Sequence, residues 1–141
     1  DLYSQLGRSA DMNRVLLEWT QAIPDDAAAN LLLGMNYEGQ NRIDDAVNQY
    51  EKVYLTEPDN LIALNNLAWL YQDSRPERAL ELASQAAELY PDNADVLDTY
   101  GWILGKQNNR SEAIAVLERA LELSPGAQSI MDHLAAIRAQ R

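Results

Sequence analysis

The chain has 141 residues, enough for one domain with a sizeable hydrophobic core. Its formal net charge of −11 disfavours nucleic acid and anionic lipid surfaces as partners, because both select basic proteins. Cysteine is absent, which excludes disulfides, thiol catalysis and thiolate metal sites.

The sequence contains no segment that is expected to insert into a membrane. A run of about 18 apolar residues, the minimum for a membrane-spanning helix, does not occur. The chain begins at Asp1 without an initiator methionine or a signal sequence. We therefore expect a fragment or a processed form whose targeting segment lies outside it.

Four prolines, Pro24, Pro58, Pro91 and Pro125, recur at intervals of 34, 33 and 34 residues. A fixed period in this range is typical of repeat proteins. Because proline disfavours a helical conformation in the preceding residue, each proline is expected to follow a helix end. The period predicts a single domain with a partial repeat over 1–26, repeats over 27–60, 61–93 and 94–127, and a terminal helix over 128–141.

Apolar residues in each repeat follow the spacing of one helix face, so each full repeat is predicted to be a pair of helices. In the partial repeat, one helix is expected to end near Gly7. A second covers Asp11–Ile23, with Met12, Leu16 and Trp19 facing inward. The remaining predicted helices are Asp26–Gly39, Ile43–Thr56, Asn60–Gln72, Arg75–Leu89, Ala94–Gln107, Ser111–Leu123 and Ala127–Gln140.

Small residues and helix caps support this division. Small residues in the first helices are expected to lie close to alanines in the second helices: Gly34, Ala68, Gly101 and Ala135 against Ala46, Ala79 and Ala113. The Asp-Asn pairs after Pro58 and Pro91, at 59–60 and 92–93, are predicted to supply N-cap oxygens for the next helices, because their side chains can accept backbone N–H groups. Ser74 with Glu77 forms a predicted capping box, with Pro76 in the first turn.

The pattern resembles the tetratricopeptide repeat (TPR), whose 34-residue unit is a helix–turn–helix. The clearest copy, Ala94–Ala127, carries Leu97, Tyr100, Gly101, Leu104, Ala113, Leu117, Ala120 and Pro125 at the key positions. The resemblance implies an all-α solenoid of antiparallel helix hairpins, with a right-handed superhelix and a concave groove.

Four stretches carry a narrower resemblance: ALNNLAWLY at 63–71, residues 78–91, VLDTYGWI at 96–103 and SIMDHL at 129–134. They resemble the C-terminal repeats of the TPR-repeat lipoproteins of the bacterial PEP-CTERM/exosortase system. The resemblance implies a scaffold role in exopolysaccharide export or envelope protein sorting. It also implies a periplasmic, outer-membrane-associated location, although the lipid-attachment cysteine of that family is absent from this chain.

In TPR proteins the first helix of each unit lines the concave groove. Carried onto this sequence, the resemblance implies a groove lined by Leu31, Met35, Glu38, Ile62, Asn65, Trp69, Gln72, Asp95, Asp98, Trp102 and Asp132. Trp69 and Trp102 lie at the same position in adjacent units, so two neighbouring indoles are expected. Such indoles suit a peptide hot spot or stacking on a sugar ring, and they also suit structural packing or a contact between copies.

An apolar and acidic groove favours a neutral or basic peptide segment, which predicts a protein–protein interaction scaffold. The alternative is a carbohydrate-binding module that stacks exopolysaccharide on Trp69 and Trp102. A clamp for an acidic C-terminus is disfavoured, because Asp95 and Thr99 stand where basic residues are needed. An apolar patch around Leu16 and Trp19 is also predicted, which an upstream repeat or self-association would cover.

The sequence does not favour an enzyme, a metal site or a cofactor site. His133 is the only histidine, so it cannot build a multi-histidine metal site, and we interpret it as a partly exposed residue of the last helix. Its neighbour Asp132 is expected to point away from it, because i,i+1 residues diverge on a helix. The six glycines show no phosphate-loop spacing.

Overall fold

The computed structural model describes residues 2–140, and these form helices without any strand. The all-α fold class is therefore confirmed. In chain order the helices are α1 (Leu2–Ala22), α2 (Ala27–Gly39), α3 (Ile43–Thr56), α4 (Leu61–Tyr71), α5 (Pro76–Leu89), α6 (Ala94–Lys106), α7 (Arg110–Leu123) and α8 (Gln128–Ala139). Within the described residues, no helix combines the length and apolarity that crossing a bilayer requires.

The chain divides into two compact units, Asp1–Ala63 and Leu64–Arg141. The first contains α1, α2 and α3 with the start of α4, and the second contains the rest of α4 through α8. In the second unit, helices α6, α7 and α8 share a buried apolar cluster, which consists of Leu97, Leu104, Ala113, Leu117, Ala120, Ile130, Leu134 and Ile137.

Short polar side chains set the helix boundaries. Asp26, Asn60 and Asn93 each accept the backbone N–H three residues further on, at 3.0, 3.1 and 3.0 Å. The prediction that the Asp-Asn pairs after Pro58 and Pro91 supply the caps is therefore confirmed, and in each pair the asparagine is the cap. Asn41 and Asn108, in the turns that follow α2 and α6, have φ values of 58° and 64°. Asparagine tolerates this left-handed conformation, which lets the chain reverse directly after the first helix of a repeat.

The predicted capping box of Ser74 and Glu77 is wrong. Helix α5 begins at Pro76, and its N-cap is Arg75, which makes no side-chain capping hydrogen bond. Because the helix starts one residue later than predicted, Ser74 lies outside the N-cap position. Pro76 does occupy the first turn, where its missing N–H costs nothing.

The helix break predicted between Gly7 and Asp11 is also wrong, because α1 runs unbroken from Leu2 to Ala22. A single glycine is tolerated inside a helix at a cost of about 1 kcal/mol. No glycine among the described residues takes a positive φ, and the segment has no residue in the left-handed conformation that ends α2 and α6. The chain therefore has no local reason to turn at Gly7.

The inward face of α1 differs from the prediction by a rotation of one residue. Leu16 is buried as predicted, but Met12 is 52% exposed and Trp19 is 46% exposed. Asn13 and Thr20 are the residues buried with Leu16. The predicted apolar patch consequently includes Trp19 but not Leu16. Among the residues of this helix whose exposure is described, the exposed large apolar side chains are Met12, Val15, Leu17 and Trp19.

The face rotates because α1 packs on α2 through polar side chains. Asn36 Nδ2 donates to Asn13 Oδ1 at 2.7 Å and to the Ser9 carbonyl at 3.1 Å. Ser9 Oγ donates to Asn36 Oδ1 at 2.8 Å. Gln40 completes the network, since it accepts from Asn13 Nδ2 at 3.0 Å and donates to Ser9 Oγ at 2.6 Å.

We expect Asn36→Ala to destabilise the first unit by about 1–2 kcal/mol, because it removes the donor to Asn13 Oδ1 and the acceptor of the Ser9 hydroxyl. Chemical denaturation would measure the loss, and amide hydrogen exchange would locate it in α1. Asn48→Ala, at an exposed site on α3, is the matched control. Equal stability of the two variants would contradict a structural role for the network.

The predicted close packing at the helix glycines is confirmed. A Cβ placed on Gly101 would lie 2.6 Å from Leu117 Cγ, and one on Gly34 would lie 2.6 Å from Tyr50 Cε1. The predicted neighbour Ala113 also contacts the Gly101 position, through its carbonyl oxygen at 3.3 Å, whereas the predicted neighbour Ala46 lies one helical turn before Tyr50. Side chains on a helix lean towards its N-terminus, which brings the later residue over the glycine. Ala135, predicted to be a further such site, is exposed.

Candidate functional site: an indole cluster in the second unit

Three rings converge in the second unit. Trp69 on α4, Trp102 on α6 and His133 on α8 each stand on the first helix of a repeat or on the terminal helix. The imidazole of His133 stacks on Trp102 with ring centroids 4.6 Å apart and an interplanar angle of 28°. It also contacts Trp69 in a tilted arrangement, with centroids 5.9 Å apart. Both indoles therefore contact the imidazole of His133.

Polar groups hold this arrangement in place. His133 Nδ1 lies 2.7 Å from Asp98 Oδ1. The indole Nε1 of Trp102 donates to Gln72 Oε1 at 2.9 Å, and Lys106 Nζ donates to the same oxygen at 3.1 Å. We call Trp69, Gln72, Asp98, Trp102 and His133 together the indole cluster. Four of its five members were predicted as groove residues.

The Asp98–His133 pair is largely shielded from water, with side chains exposed to 13% and 21% respectively. Burial raises the pKa of Asp98, since desolvation disfavours the charged carboxylate. The hydrogen bond and charge of His133 offset part of that rise, whereas the nearby charge of Asp95 adds to it. The site therefore contains a carboxylate that depends on the neighbouring imidazole for its stabilisation.

The two indoles differ in what they can offer a ligand. Trp102 has His133 stacked on its ring and its N–H bonded to Gln72. Trp69 is 36% exposed, and within residues 2–140 its indole N–H has no hydrogen-bond partner. Trp69 is therefore the more accessible anchor, and Trp102 is more firmly fixed.

The remaining predicted groove residues are distributed over both units. In the second unit, Asp95 and Asp132 are exposed, and Asp132 accepts a hydrogen bond from Gln128 Nε2 at 2.7 Å. Asn65 lies one turn before Trp69, and its buried Oδ1 has no hydrogen-bond partner among the described residues. In the first unit lie Leu31, Met35, Glu38 and Ile62. Of these, Glu38 accepts a hydrogen bond from Tyr50 Oη at 2.9 Å.

Sequence reasoning missed the role of His133. The interpretation as a partly exposed residue of the last helix is confirmed, as is its divergence from Asp132. Its contacts with Asp98 and Trp102 were not predicted. Asp98 and His133 are 35 residues apart, close to one repeat length. That spacing places both on adjacent first helices, and an acid and a histidine at that offset are the feature that could have predicted the pair.

A concave feature lies in the first unit, at the polar contact between α1 and the turn after α2. It is a cavity of about 640 Å³. Its lining residues are Gln5, Ser9, Ala10, Asn13, Gly39, Gln40 and Arg42. The polar groups that line it are largely bonded to one another, and the Arg42 guanidinium pairs with Asp45 at 2.7 Å. This cavity contains no predicted groove residue.

Metal chemistry finds no support in the part of the chain that the structure covers. No group of three or more histidine, cysteine, aspartate or glutamate side chains within residues 2–140 is arranged to hold a metal ion. The indole cluster has one imidazole and one carboxylate, and its remaining members are indoles and an amide. Such a set suits the recognition of a ligand by stacking, hydrogen bonding and charge.

Comparison with known families identifies the repeats. Two family models, both described as tetratricopeptide repeat, match residues 31–94 and 70–137. Residues 31–137 are tetratricopeptide repeats. The chain is also 35% identical over 118 residues to the TPR repeat-containing protein PA4667 of Pseudomonas aeruginosa, an alignment that covers 79% of this chain. It spans 19% of the length of that relative.

Solved structures of TPR proteins share this fold. MamA has a TM-score of 0.82 at 18% identity, with 97% of this chain and 81% of that chain covered. MamA residues 41-end from Desulfovibrio magneticus RS-1 has a TM-score of 0.83 at 18% identity, with 95% and 76% covered. The first TPR of Spaghetti (RPAP3), bound to the HSP90 peptide SRMEEVD, has a TM-score of 0.72 at 24% identity, with 79% and 90% covered. These likenesses confirm the TPR fold.

Proposed function

We propose that this chain is a protein–protein interaction module, without enzymatic activity, that binds a neutral or basic peptide segment of a partner on the indole cluster. The proposal rests on the exposure and the surroundings of Trp69. Its indole is exposed and unbonded at the N–H, and it lies against His133 beside the Asp98 carboxylate. Exposed tryptophans held by ordered neighbours are typical anchors in protein interfaces.

The TPR fold supports a peptide as the ligand, because a structural neighbour was solved with the HSP90 peptide SRMEEVD. The charge of the ligand is expected to be the opposite here. That peptide is rich in acidic residues, whereas this cluster contains Asp98 and is flanked by Asp95 and Asp132. Like charges brought together at an interface are unfavourable, so an acidic segment would be rejected.

A carbohydrate remains the second candidate, and the exposed ring of Trp69 favours it, because sugar rings stack on such surfaces. The two-indole platform expected for a polysaccharide is less favourable, since His133 covers part of Trp102. In this second candidate the sugar stacks on Trp69 alone.

The cellular setting follows from the resemblance of residues 61–135 to the PEP-CTERM/exosortase TPR lipoproteins. On that basis we propose a scaffold role in exopolysaccharide export or envelope protein sorting, in the periplasm at the outer membrane. The exposed apolar residues of α1, including Met12, Val15 and Trp19, form the surface that we propose for self-association or for contact with a further repeat. Leu16 is only 6% exposed and contributes little to that surface.

Selection from a random peptide library tests the binding proposal. We expect the parent chain to enrich peptides that Trp69→Leu binds at least about tenfold more weakly, because hot-spot tryptophans carry a large share of binding energy. Trp19→Leu is the matched control, since it removes an exposed indole from the first unit. Circular dichroism would confirm that both variants fold.

Three outcomes are informative. Loss of binding in Trp69→Leu alone would support the indole cluster as the peptide site. Equal binding by both variants and the parent chain would contradict it. Failure to enrich any peptide, together with binding of soluble exopolysaccharide that Trp69→Leu abolishes, would replace the peptide with the carbohydrate candidate.

A further inference from the structure

We propose that the indole cluster holds a cationic side chain of the partner, an arginine or a lysine, and that His133 controls this subsite by competing with the bound cation when it is protonated. The inference rests on the proposed function, because it names the chemistry of the partner residue and the regulation of the same site. It depends on the charges, ring faces and hydrogen bonds around His133.

The first step concerns charge. Asp98 uses Oδ1 to bind His133, and its Oδ2 has no hydrogen bond among the described residues. Asp95 lies close enough for its charge to act on Asp98, and it makes no ion pair in the described part of the chain. A carboxylate oxygen without a donor, next to a second carboxylate, is a site that attracts a cation.

The basic groups of the surrounding helices already have partners within the chain, and one of them, Lys106, binds a member of the indole cluster. On α6, Lys106 donates to Gln72 and Asp73. On α8, Arg138 pairs with Glu118 of α7, and on α7, Arg110 donates to the α8 carbonyls of Ile137 and Arg138. Helix α4 carries no charged residue. On α8, Asp132 diverges from His133 and bonds to Gln128, so Asp98 and the nearby Asp95 are the acids of this site. The groups that face the imidazole therefore leave negative charge in excess.

The second step concerns the aromatic rings. Indole faces attract ammonium and guanidinium groups, and tryptophan does so more strongly than other aromatic residues. The ring of Trp69 is partly exposed and directly contacts the imidazole of His133, with ring centroids 5.9 Å apart. A guanidinium on Trp69 would therefore lie near the His133–Asp98 pair, with the indole on one side and carboxylates within reach.

The third step concerns His133 itself. Histidine changes charge in the physiological range, and protonation would place a cation between Trp69 and Asp98. The imidazolium would pair with Asp98 and repel a second cation. Binding of a cationic side chain should therefore weaken on acidification. By linkage, a bound cation should make His133 harder to protonate by the same factor.

Because His133 is the only histidine in the chain, its imidazole proton resonance can be followed by NMR without assignment ambiguity. The probe is N-acetyl-arginine amide, and the control ligand is N-acetyl-citrulline amide, its uncharged analogue. We expect the arginine compound to move the titration midpoint of His133 to lower pH, and the citrulline compound to leave it in place. We expect arginine to bind about fivefold more weakly below the midpoint than above it.

Variants separate a specific subsite from general attraction to an acidic protein. Asp98→Asn and Glu77→Gln each remove one negative charge, but only Asp98 contacts His133; Glu77 is exposed on α5. We expect Asp98→Asn to weaken arginine binding several-fold more than Glu77→Gln does. His133→Gln should retain arginine binding and lose its dependence on pH.

The inference would be overturned if arginine and citrulline shifted the His133 midpoint equally, if arginine raised it, or if His133→Gln kept the full pH dependence. Absence of any arginine-induced change at the indole or imidazole resonances would overturn it as well. None of these results would by itself contradict the proposed peptide binding, because the library selection tests that proposal separately. A selected peptide that binds through Trp69 without moving the His133 midpoint would leave that proposal intact.

Discussion

Replacing Gly101 with leucine should destabilise the second unit by about 1–3 kcal/mol. A Cβ at this position would lie 2.6 Å from Leu117 Cγ and 2.9 Å from Leu117 Cδ2, while the Ala113 carbonyl oxygen lies 3.3 Å away. Carbon atoms pack best at about 3.5–4.0 Å, so α6 and α7 would have to separate. Leucine gains about 0.8 kcal/mol of helix propensity over glycine, which is too little to offset this overpacking.

Thermal and chemical denaturation would measure the effect. Gly126→Leu is the control, because a Cβ there meets nothing within 4 Å and the residue lies in the same unit. Leu117→Ala in the Gly101→Leu background should recover part of the loss, since it removes the atoms that clash; a double-mutant cycle would give the coupling energy. Unchanged stability of Gly101→Leu would contradict the close approach of the two helices.

Replacing Ile137 with alanine should cost about 2–5 kcal/mol, the largest stability effect that we expect. Ile137 on α8 is fully buried and belongs to the apolar cluster formed by α6, α7 and α8. Its side chain fills the space above Gly105, where glycine leaves no Cβ. Truncation would remove buried apolar atoms and leave a cavity that Gly105 cannot fill. The lost transfer free energy of those atoms and the cost of the cavity would both lower the stability.

The same substitution should affect the indole cluster. His133 lies one turn before Ile137 on the same helix, and α8 ends at Ala139. Loosening α8 should release His133 from Asp98 and Trp102, which NMR would detect as a change in the imidazole resonance. Met131→Ala is the control, because Met131 is an exposed residue of the same helix. An equal loss of stability in both variants would contradict the proposed role of the Ile137 contact.

The repeat boundaries could be predicted from the sequence because they depend on local chemistry. Asn60 and Asn93 cap helices through hydrogen bonds to residues three positions away, and the prolines set the period. Close packing at Gly34 and Gly101 was also predictable, since glycine within a helix is otherwise unfavourable. These features require only information within one repeat.

The errors came from competition between neighbouring interactions. Gly7 indicated a turn, but the polar contacts of Ser9 and Asn13 with α2 favour a continuous helix. Ser74 and Glu77 had capping-box spacing, but Pro76 occupies the start of α5. In each case the local pattern was compatible with two structures: a turn or a continuous helix at Gly7, and an N-cap at Ser74 or at Arg75. Neighbouring residues decided which of the two formed.

The candidate site was only partly predictable for a related reason. Trp69 and Trp102 could be placed on a common surface from their repeat positions alone. The position of His133 between them depends on how α8 packs against α6, which the single-repeat pattern does not contain. The acidic character of the site could be predicted from Asp95 and Asp98, but the coupling of Asp98 to His133 required the packed structure.

The central claim is that the indole cluster of the second unit is the partner-binding site. The chain has three tryptophans, and their indole N–H resonances can be followed together by ¹⁵N NMR during titration with a peptide selected from the library. We predict that the resonances of Trp69 and Trp102 will shift and that of Trp19 will stay in place. A shift of Trp19 alone, or of no indole at saturation, would contradict the claim.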